Sequence, residues 1–190
     1  KLGVDSFTIN GSKIYGPKGS GVLYVKKGIP VATQICGGGQ ERFLKGGTEN
    51  VPAIIGLGKA INLISKERIK NIKQVLYLRD ILKKEIMRKI PDVKLNSPKK
   101  KCLPHIINFM FKGIDSLKLV NLLSKYKIAV SKGSACSQNT EEISATLKAI
   151  GLSDKEASSS LRFSLGKFSR EEDIRYLMII LPRLISQLRK

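Results

Sequence analysis

The sequence predicts an α/β or α+β chain, and three observations carry that expectation. Short runs rich in Val, Ile, Phe and Tyr are closed off by Gly and Pro, as in Ser6 to Asn10 and Gly21 to Lys26. Longer stretches space their apolar residues three and four apart, as helices do. Ser or Asn followed three residues later by Glu recurs, the spacing that satisfies the free amides of a helix start. With 42% hydrophobic and 26% charged residues in 190, the chain has material for a core, and its composition excludes disorder and collagen-like repeats.

In chain order, the two opening strands are joined by a turn holding Gly11, Gly16, Pro17 and Gly19, which places Lys13 where the strands meet. Ile35 to Glu49 contains Gly37, Gly38, Gly39, Gly46 and Gly47 and little periodicity, so it reads as a loop whose backbone turns freely or approaches something closely. From Asn50, the apolar series Ile54, Leu57, Ile61 and Ile64, then Ile69, Ile72, Leu76 and Leu82, predicts two helices or one long bent helix ending before Pro91. Leu95 to Leu103 has loop composition and His105 to Phe111 strand composition. Asp115 or Ser116 caps a helix to about Tyr126, and Ile128 to Val130 predicts a short strand. Ser131 to Gln138 is small and polar around Cys136 and predicts a flexible loop.

Helix starts follow at Asn139, Ser153 and Ser169, each with a glutamate three residues on. The last helix, Arg170 to Lys190, aligns Ile174, Leu177, Leu181, Leu184 and Leu188 on one stripe, with a kink expected at Pro182. These elements predict two units: residues 1–58, belonging to a sheet whose remaining strands are absent from this sequence, and residues 59–190, a smaller unit of its own.

Several function classes are disfavoured by composition. No apolar run reaches the roughly 18 to 20 residues that cross a bilayer, and the first residues have neither an initiator Met nor the pattern of a signal peptide. Cys36, Cys102 and Cys136 match no zinc spacing and no even disulfide framework, which makes a reducing cytoplasm the default expectation. His105 is the sole histidine, so a His-rich metal site or a Ser-His-Asp triad is not expected, and His105 itself reads as structural.

Four residues stand out chemically. A lysine in 190 residues this basic is ordinarily a surface charge, but Lys13 sits in a glycine-flanked turn after an apolar strand. Such a turn can fix and partly desolvate an amine, as a Schiff-base lysine requires. Cys136 is surrounded by small polar residues rather than apolar ones, which suits an exposed, reactive thiol, whereas Cys36 and Cys102 read as structural. Arg162, in the alternating run Ser159 to Ser164, is either a paired structural ion or a fork for a carboxylate. Thr48, after Lys45, Gly46 and Gly47, can offer its hydroxyl to a phosphate, although the loop does not follow the Walker pattern.

Taken in order, Asn10-Gly11-Ser12-Lys13, Gly37-Gly38-Gly39-Gln40-Glu41, Lys45-Gly46-Gly47-Thr48-Glu49-Asn50, Gly133-Ser134-Ala135-Cys136 and Arg162-Phe163-Ser164 resemble the motifs of cysteine desulfurases. These are pyridoxal 5'-phosphate enzymes of the class V aminotransferase group, which take sulfur from L-cysteine as a persulfide and leave alanine. The resemblance runs through essentially the whole chain. It implies the end of a large cofactor-binding domain followed by a smaller α+β C-terminal domain. It further implies that Lys13 carries the cofactor as a Schiff base, that Cys136 takes the sulfur, and that Arg162 pairs with the substrate carboxylate. Thr48 would donate to the cofactor phosphate across a homodimer interface. The loop around Cys136 resembles the longer form found in desulfurases that feed iron–sulfur assembly and tRNA thiolation, and an acceptor protein is implied.

Two departures bear on this. The family usually has Ser-Gly-His-Lys, where this chain has Asn10-Gly11-Ser12-Lys13; Asn10 and Ser12 can still hydrogen-bond the phosphate, but weaker cofactor binding is expected. The family's N-terminal portion, with the histidine stacked on the ring and the aspartate that pairs with the pyridine nitrogen, is not in this sequence, so these residues alone are not expected to desulfurate cysteine.

Two other readings compete. A net charge of +20 would attract nucleic acid through its phosphates, although the lysines are scattered and only Lys99 to Lys101 form a compact run. A selenocysteine lyase or an aminotransferase of the same group would share the lysine turn, and the thiol at Cys136 argues for sulfur transfer instead.

Overall fold

The structure, a computed structural model, describes residues 3–98, 101–133 and 143–190. It divides into two compact units, Lys1–Arg68 and Ile69–Lys190, a division inside the long helix and further along it than position 58.

In the first unit, β1 (Ser6–Asn10) and β2 (Gly21–Val25) pair antiparallel, with Ser6 opposite Val25 and Asn10 opposite Gly21. Phe7 and Tyr24 stack across the hairpin at 5.0 Å, yet both remain exposed. Residues Gly11–Ile14 form a 3-10 turn, so Lys13 lies on a helical turn rather than in a loose connection. The helix α1 (Val51–Lys89) begins here, with Asn50 Oδ1 accepting from Ala53 N at 3.2 Å and Pro52 in its first turn, where no intrahelical donor is lost. It is continuous: no Gly or Pro falls between Lys59 and Lys89, and nothing in that stretch breaks the ladder.

The second unit contains β3 (Val93–Leu95), β4 (Ile106–Phe111), α2 (Ser116–Lys125), α3 (Ala145–Ala149), α4 (Asp154–Ser158), β5 (Ser160–Ser164) and α5 (Glu171–Leu188). Its strands form one antiparallel sheet in the order β3-β4-β5. Period-two burial along β4 sends Ile107, Phe109 and Phe111 into the core, where they meet Leu161 and Phe163 of β5, Leu119 and Leu123 of α2, Leu82 and Ile86 of α1, and Leu181 and Ile185 of α5. Phe109 contacts Phe163 edge-on, with centroids 6.2 Å apart and planes at 72°.

Helix ends follow capping chemistry. Asp115 Oδ1 accepts from Leu117 N at 2.8 Å and Lys118 N at 3.2 Å. Ser153 and Glu156 form the expected capping box, and the Ser153 backbone and hydroxyl, aided by Lys94, hold the Glu156 carboxyl below the usual carboxylate range.

Several expectations require correction. Ile128 to Val130 form no strand; only Ser131, one residue on, bridges β5. α5 is capped at Arg170, whose N–H donates to Asp173 Oδ2 at 2.8 Å, because the Ser169 hydroxyl accepts instead from Gly166 N. The strand β3 falls where none was expected. The helix start expected at Asn139 lies outside the described residues, and α3 is capped by Ser144. Among the described residues, no helix is long and apolar enough to cross a membrane.

Candidate active site

In the first unit, Lys13 is set by a turn that is tied at both ends. Gly11 N donates to Ser20 O at 2.8 Å, and Gly16 N donates back to Gly11 O at 2.8 Å. Ser20 is buried and donates its hydroxyl to Pro17 O at 2.6 Å. A Cβ on Gly11 would collide with the Ser20 hydroxyl and approach Pro17 O to 2.9 Å, so only glycine fits there. The turn rests on a small-residue stretch of α1: a Cβ on Gly56 would meet Pro17 Cγ at 2.6 Å, and one on Gly16 would meet Ala60 Cβ at 3.2 Å. The lysine's main chain is therefore fixed without a large core around it.

Asn10 and Ser12 turn towards each other. Asn10 Oδ1 accepts from Ser12 N at 2.9 Å and from Ser12 Oγ at 2.8 Å. That leaves the Asn10 amide N–H groups as outward donors, while Ser12 must release its bond to Asn10 before its hydroxyl can donate elsewhere. Among the described residues of this unit, Lys13 is exposed.

The glycine loop has a structural explanation. Gly37 and Gly46 cross so closely that a Cβ on Gly46 would lie 2.7 Å from Gly37 Cα, and a bridge pairs Ile35 with Lys45. What the backbone approaches is its own chain. Gly47, at φ 106°, donates its N–H to Gln40 Oε1 at 3.3 Å and delivers the exposed Thr48 beyond it. Cys36, beside the glycine run, is exposed; its neighbours Gly37 and Gly38 offer no side chain to cover it. Cys102 is partly buried and accepts from Arg79 Nη1 at 3.2 Å.

In the second unit, Arg162 occupies the middle of β5 on the face away from the core. Its main chain is clamped to Ser131, with Arg162 N donating to Ser131 O at 2.7 Å and Ser131 N donating to Arg162 O at 3.2 Å. Its side chain reaches Ser131 Oγ through Nη2 at 3.4 Å, and its buried Nε has no hydrogen-bond partner among the described residues. Arg162 faces no carboxylate of its own unit in a salt bridge among the described residues. Among these residues the fork is able to take a carboxylate. Cys136 lies outside the described residues. Sequence reading missed Asn108, opposite Arg162, and Asn96, which is bonded to Asn108, although one asparagine inside the apolar run Ile106 to Phe111 was a visible signal.

The donor set fits pyridoxal phosphate: an exposed amine on a fixed turn for its aldehyde, and amide and hydroxyl groups from Asn10, Ser12 and Thr48 for its phosphate. Residues 1–177 match the family described as aminotransferase class-V. The chain belongs to that family. This class-V aminotransferase family member is 42% identical over 189 residues to the cysteine desulfurase IscS of Dictyoglomus turgidum, covering 100% of this chain and 48% of that relative. It is 40% identical to cysteine desulfurase IscS 1 of Archaeoglobus fulgidus, again over 100% of this chain and 49% of the relative. Its α/β fold matches the solved NifS-like protein from Rickettsia africae with a TM-score of 0.87 at 30% identity, covering 98% of this chain and 48% of that one. The chain spans about half the length of the relatives it matches.

Proposed function

We propose that this chain carries the amine, the carboxylate fork and the thiol of a cysteine desulfurase that converts L-cysteine to L-alanine and leaves a persulfide on Cys136. The observation that carries the proposal is Arg162: a guanidinium on a core-backed strand whose buried Nε has no hydrogen-bond partner among the described residues and whose Nη2 makes a long bond of 3.4 Å to Ser131 Oγ. Such a fork recognises a carboxylate through two parallel charge-assisted bonds.

Lys13 would hold pyridoxal phosphate covalently at its aldehyde, with Asn10, Ser12 and, from a partner protomer of a homodimer, Thr48 on its phosphate. When bound, the cofactor supplies an electron-accepting ring that labilises the bonds of the amino acid. Arg162 orients L-cysteine by its carboxylate. The Cys136 thiolate then attacks the substrate sulfur; a sulfur–sulfur bond forms, the substrate carbon–sulfur bond breaks, and the carbon takes up a proton to give alanine. No external oxidant or reductant is needed, because the oxidation of sulfur to the persulfide is matched by reduction of the substrate's β-carbon from CH2 to CH3. The persulfide passes to an acceptor protein serving iron–sulfur assembly or tRNA thiolation in a reducing cytoplasm. These 190 residues alone are inactive in this reading, and alanine release by the purified chain would refute that.

The test is Arg162→Gln in the full-length protein. Loss of charge-assisted bonds raises KM for L-cysteine about 10- to 100-fold. An unchanged KM overturns the carboxylate assignment.

A further inference from the structure

We infer that Asn108 is a positioning residue for Arg162, the end of a polar row that orients the carboxylate fork; this rests on the carboxylate reading above. The sheet register sets the row. Asn108 of β4 lies directly opposite Arg162 of β5, and Asn96, just beyond β3, donates its N–H to Asn108 O at 2.9 Å. Arg162 is bridged in turn to Ser131. Asn96, Asn108, Arg162 and Ser131 therefore follow one another across the sheet, with the core phenylalanines on the opposite face.

Arg162 directs both its backbone groups at Ser131, so Asn108 and Arg162 form a pair that exchanges no backbone bonds. In an antiparallel sheet such pairs bring their Cα atoms to about 4.5 Å and their side chains closest together. Asn108 is itself immobilised: its Oδ1 accepts from Asn96 Nδ2 at 2.7 Å, and the same Nδ2 donates to Ser160 Oγ at 3.0 Å. Ser160 is fully buried and donates onward to Glu156 O at 2.7 Å. A rigid amide thus stands on one side of the arginine and Ser131 on the other, restricting the fork's swing along the row.

Packing alone does not explain these asparagines. The strand around Asn108 is apolar, and Asn96 Oδ1 is buried without a partner among the described residues, a cost that an apolar side chain would not incur. A half-buried row with two buried polar atoms, Asn96 Oδ1 and Arg162 Nε, that lack partners among the described residues has the character of a preorganised binding element.

The experiment is a double-mutant cycle in the full-length protein, with KM and kcat for L-cysteine as readouts and far-UV circular dichroism as the check on folding. Asn108→Ala is expected to raise KM about 3- to 10-fold with kcat changed less than about 2-fold. In the Arg162→Gln background the same substitution is expected to change KM by less than about 2-fold, because there is no fork left to orient. Asn108→Asp, which sets a carboxylate opposite the guanidinium, is expected to raise KM at least as far as Arg162→Gln. If Asn108→Ala does not fold, Asn108→Thr, which suits a strand and keeps a hydroxyl for Asn96, replaces it in the cycle with a smaller expected rise in KM. Full additivity of the Asn108 and Arg162 effects, or an unchanged KM in the single Asn108 variants, overturns the inference while leaving the carboxylate reading intact. An unchanged KM in Arg162→Gln overturns both.

Discussion

In residues 69–190 the arginine proposed to hold substrate stands on a strand whose other face is packed with Leu161, Phe163 and Phe109, each under 5% exposed. In residues 1–68 the proposed cofactor lysine stands on a turn held by backbone bonds and glycine contacts, beside a hairpin that buries almost nothing. Large apolar side chains of that first unit lie open, Phe43 at 72% and Ile55 at 68% exposed, while Leu57 and Ala60 are buried. Two ways of fixing a functional side chain are thus present in one chain. A packed core resists displacement through many dispersion contacts, whereas a hydrogen-bonded turn depends on a few glycines that nothing else can replace.

The largest effect that would sharpen this contrast comes from the core. Phe109→Ala should destabilise the protein by about 3–5 kcal/mol in urea unfolding, through lost burial and a cavity. Phe7→Ala, which removes an exposed ring stacked on Tyr24, should cost less than about 1 kcal/mol. Equal costs would break the comparison.

Next come the glycines. Gly46→Ala should cost about 1–3 kcal/mol and hasten proteolysis between Ile35 and Thr48, since its Cβ meets the Gly37 backbone. Gly58→Ala, on α1 with nothing within 4 Å, should stabilise by about 0.5–1 kcal/mol. Identical signs for the two would show that the crossing of Gly37 and Gly46 is not what requires glycine.

The smallest effect is electrostatic. Tyr77 donates to Glu171 Oε1 at 2.7 Å, and this bond, with Arg175, holds the Glu171 carboxyl below its ordinary value. A depressed folded pKa means stability that is present above the unfolded carboxylate range, near about 4.3, and lost as pH falls through the folded value. Glu171→Gln should therefore leave less acid sensitivity between neutral pH and about pH 3, measured as the change in urea midpoint. Because the pair is at the surface, the difference should be small and shrink with salt.

How much of this could be read beforehand depended on the range of the physics involved. Local signals sufficed for the opening hairpin, the Asp115 cap and the Ser153–Glu156 box, because each is decided by residues a few positions apart. The start of α5 slipped by one residue because the Ser169 hydroxyl was taken by Gly166, a competition that spacing does not reveal. The glycines of the 35–47 loop were legible as a demand for close approach, but not as an approach of Gly37 to Gly46. Arg162 was recognisable as a candidate fork, yet Asn96, Asn108 and Ser131, which share its row across the sheet, come from three segments joined only by sheet register, which no single run of sequence specifies.

The central proposal is that one lysine holds the cofactor and one cysteine receives the sulfur. Supplying the full-length protein with sulfur-labelled L-cysteine and mapping the label by peptide mass spectrometry tests it most directly. The expected result is label on Cys136 in step with alanine release, with Lys13→Ala abolishing both and Cys136→Ala abolishing the labelled persulfide. Label accumulating as persulfide in the Cys136→Ala protein, or alanine release surviving Lys13→Ala, would contradict it.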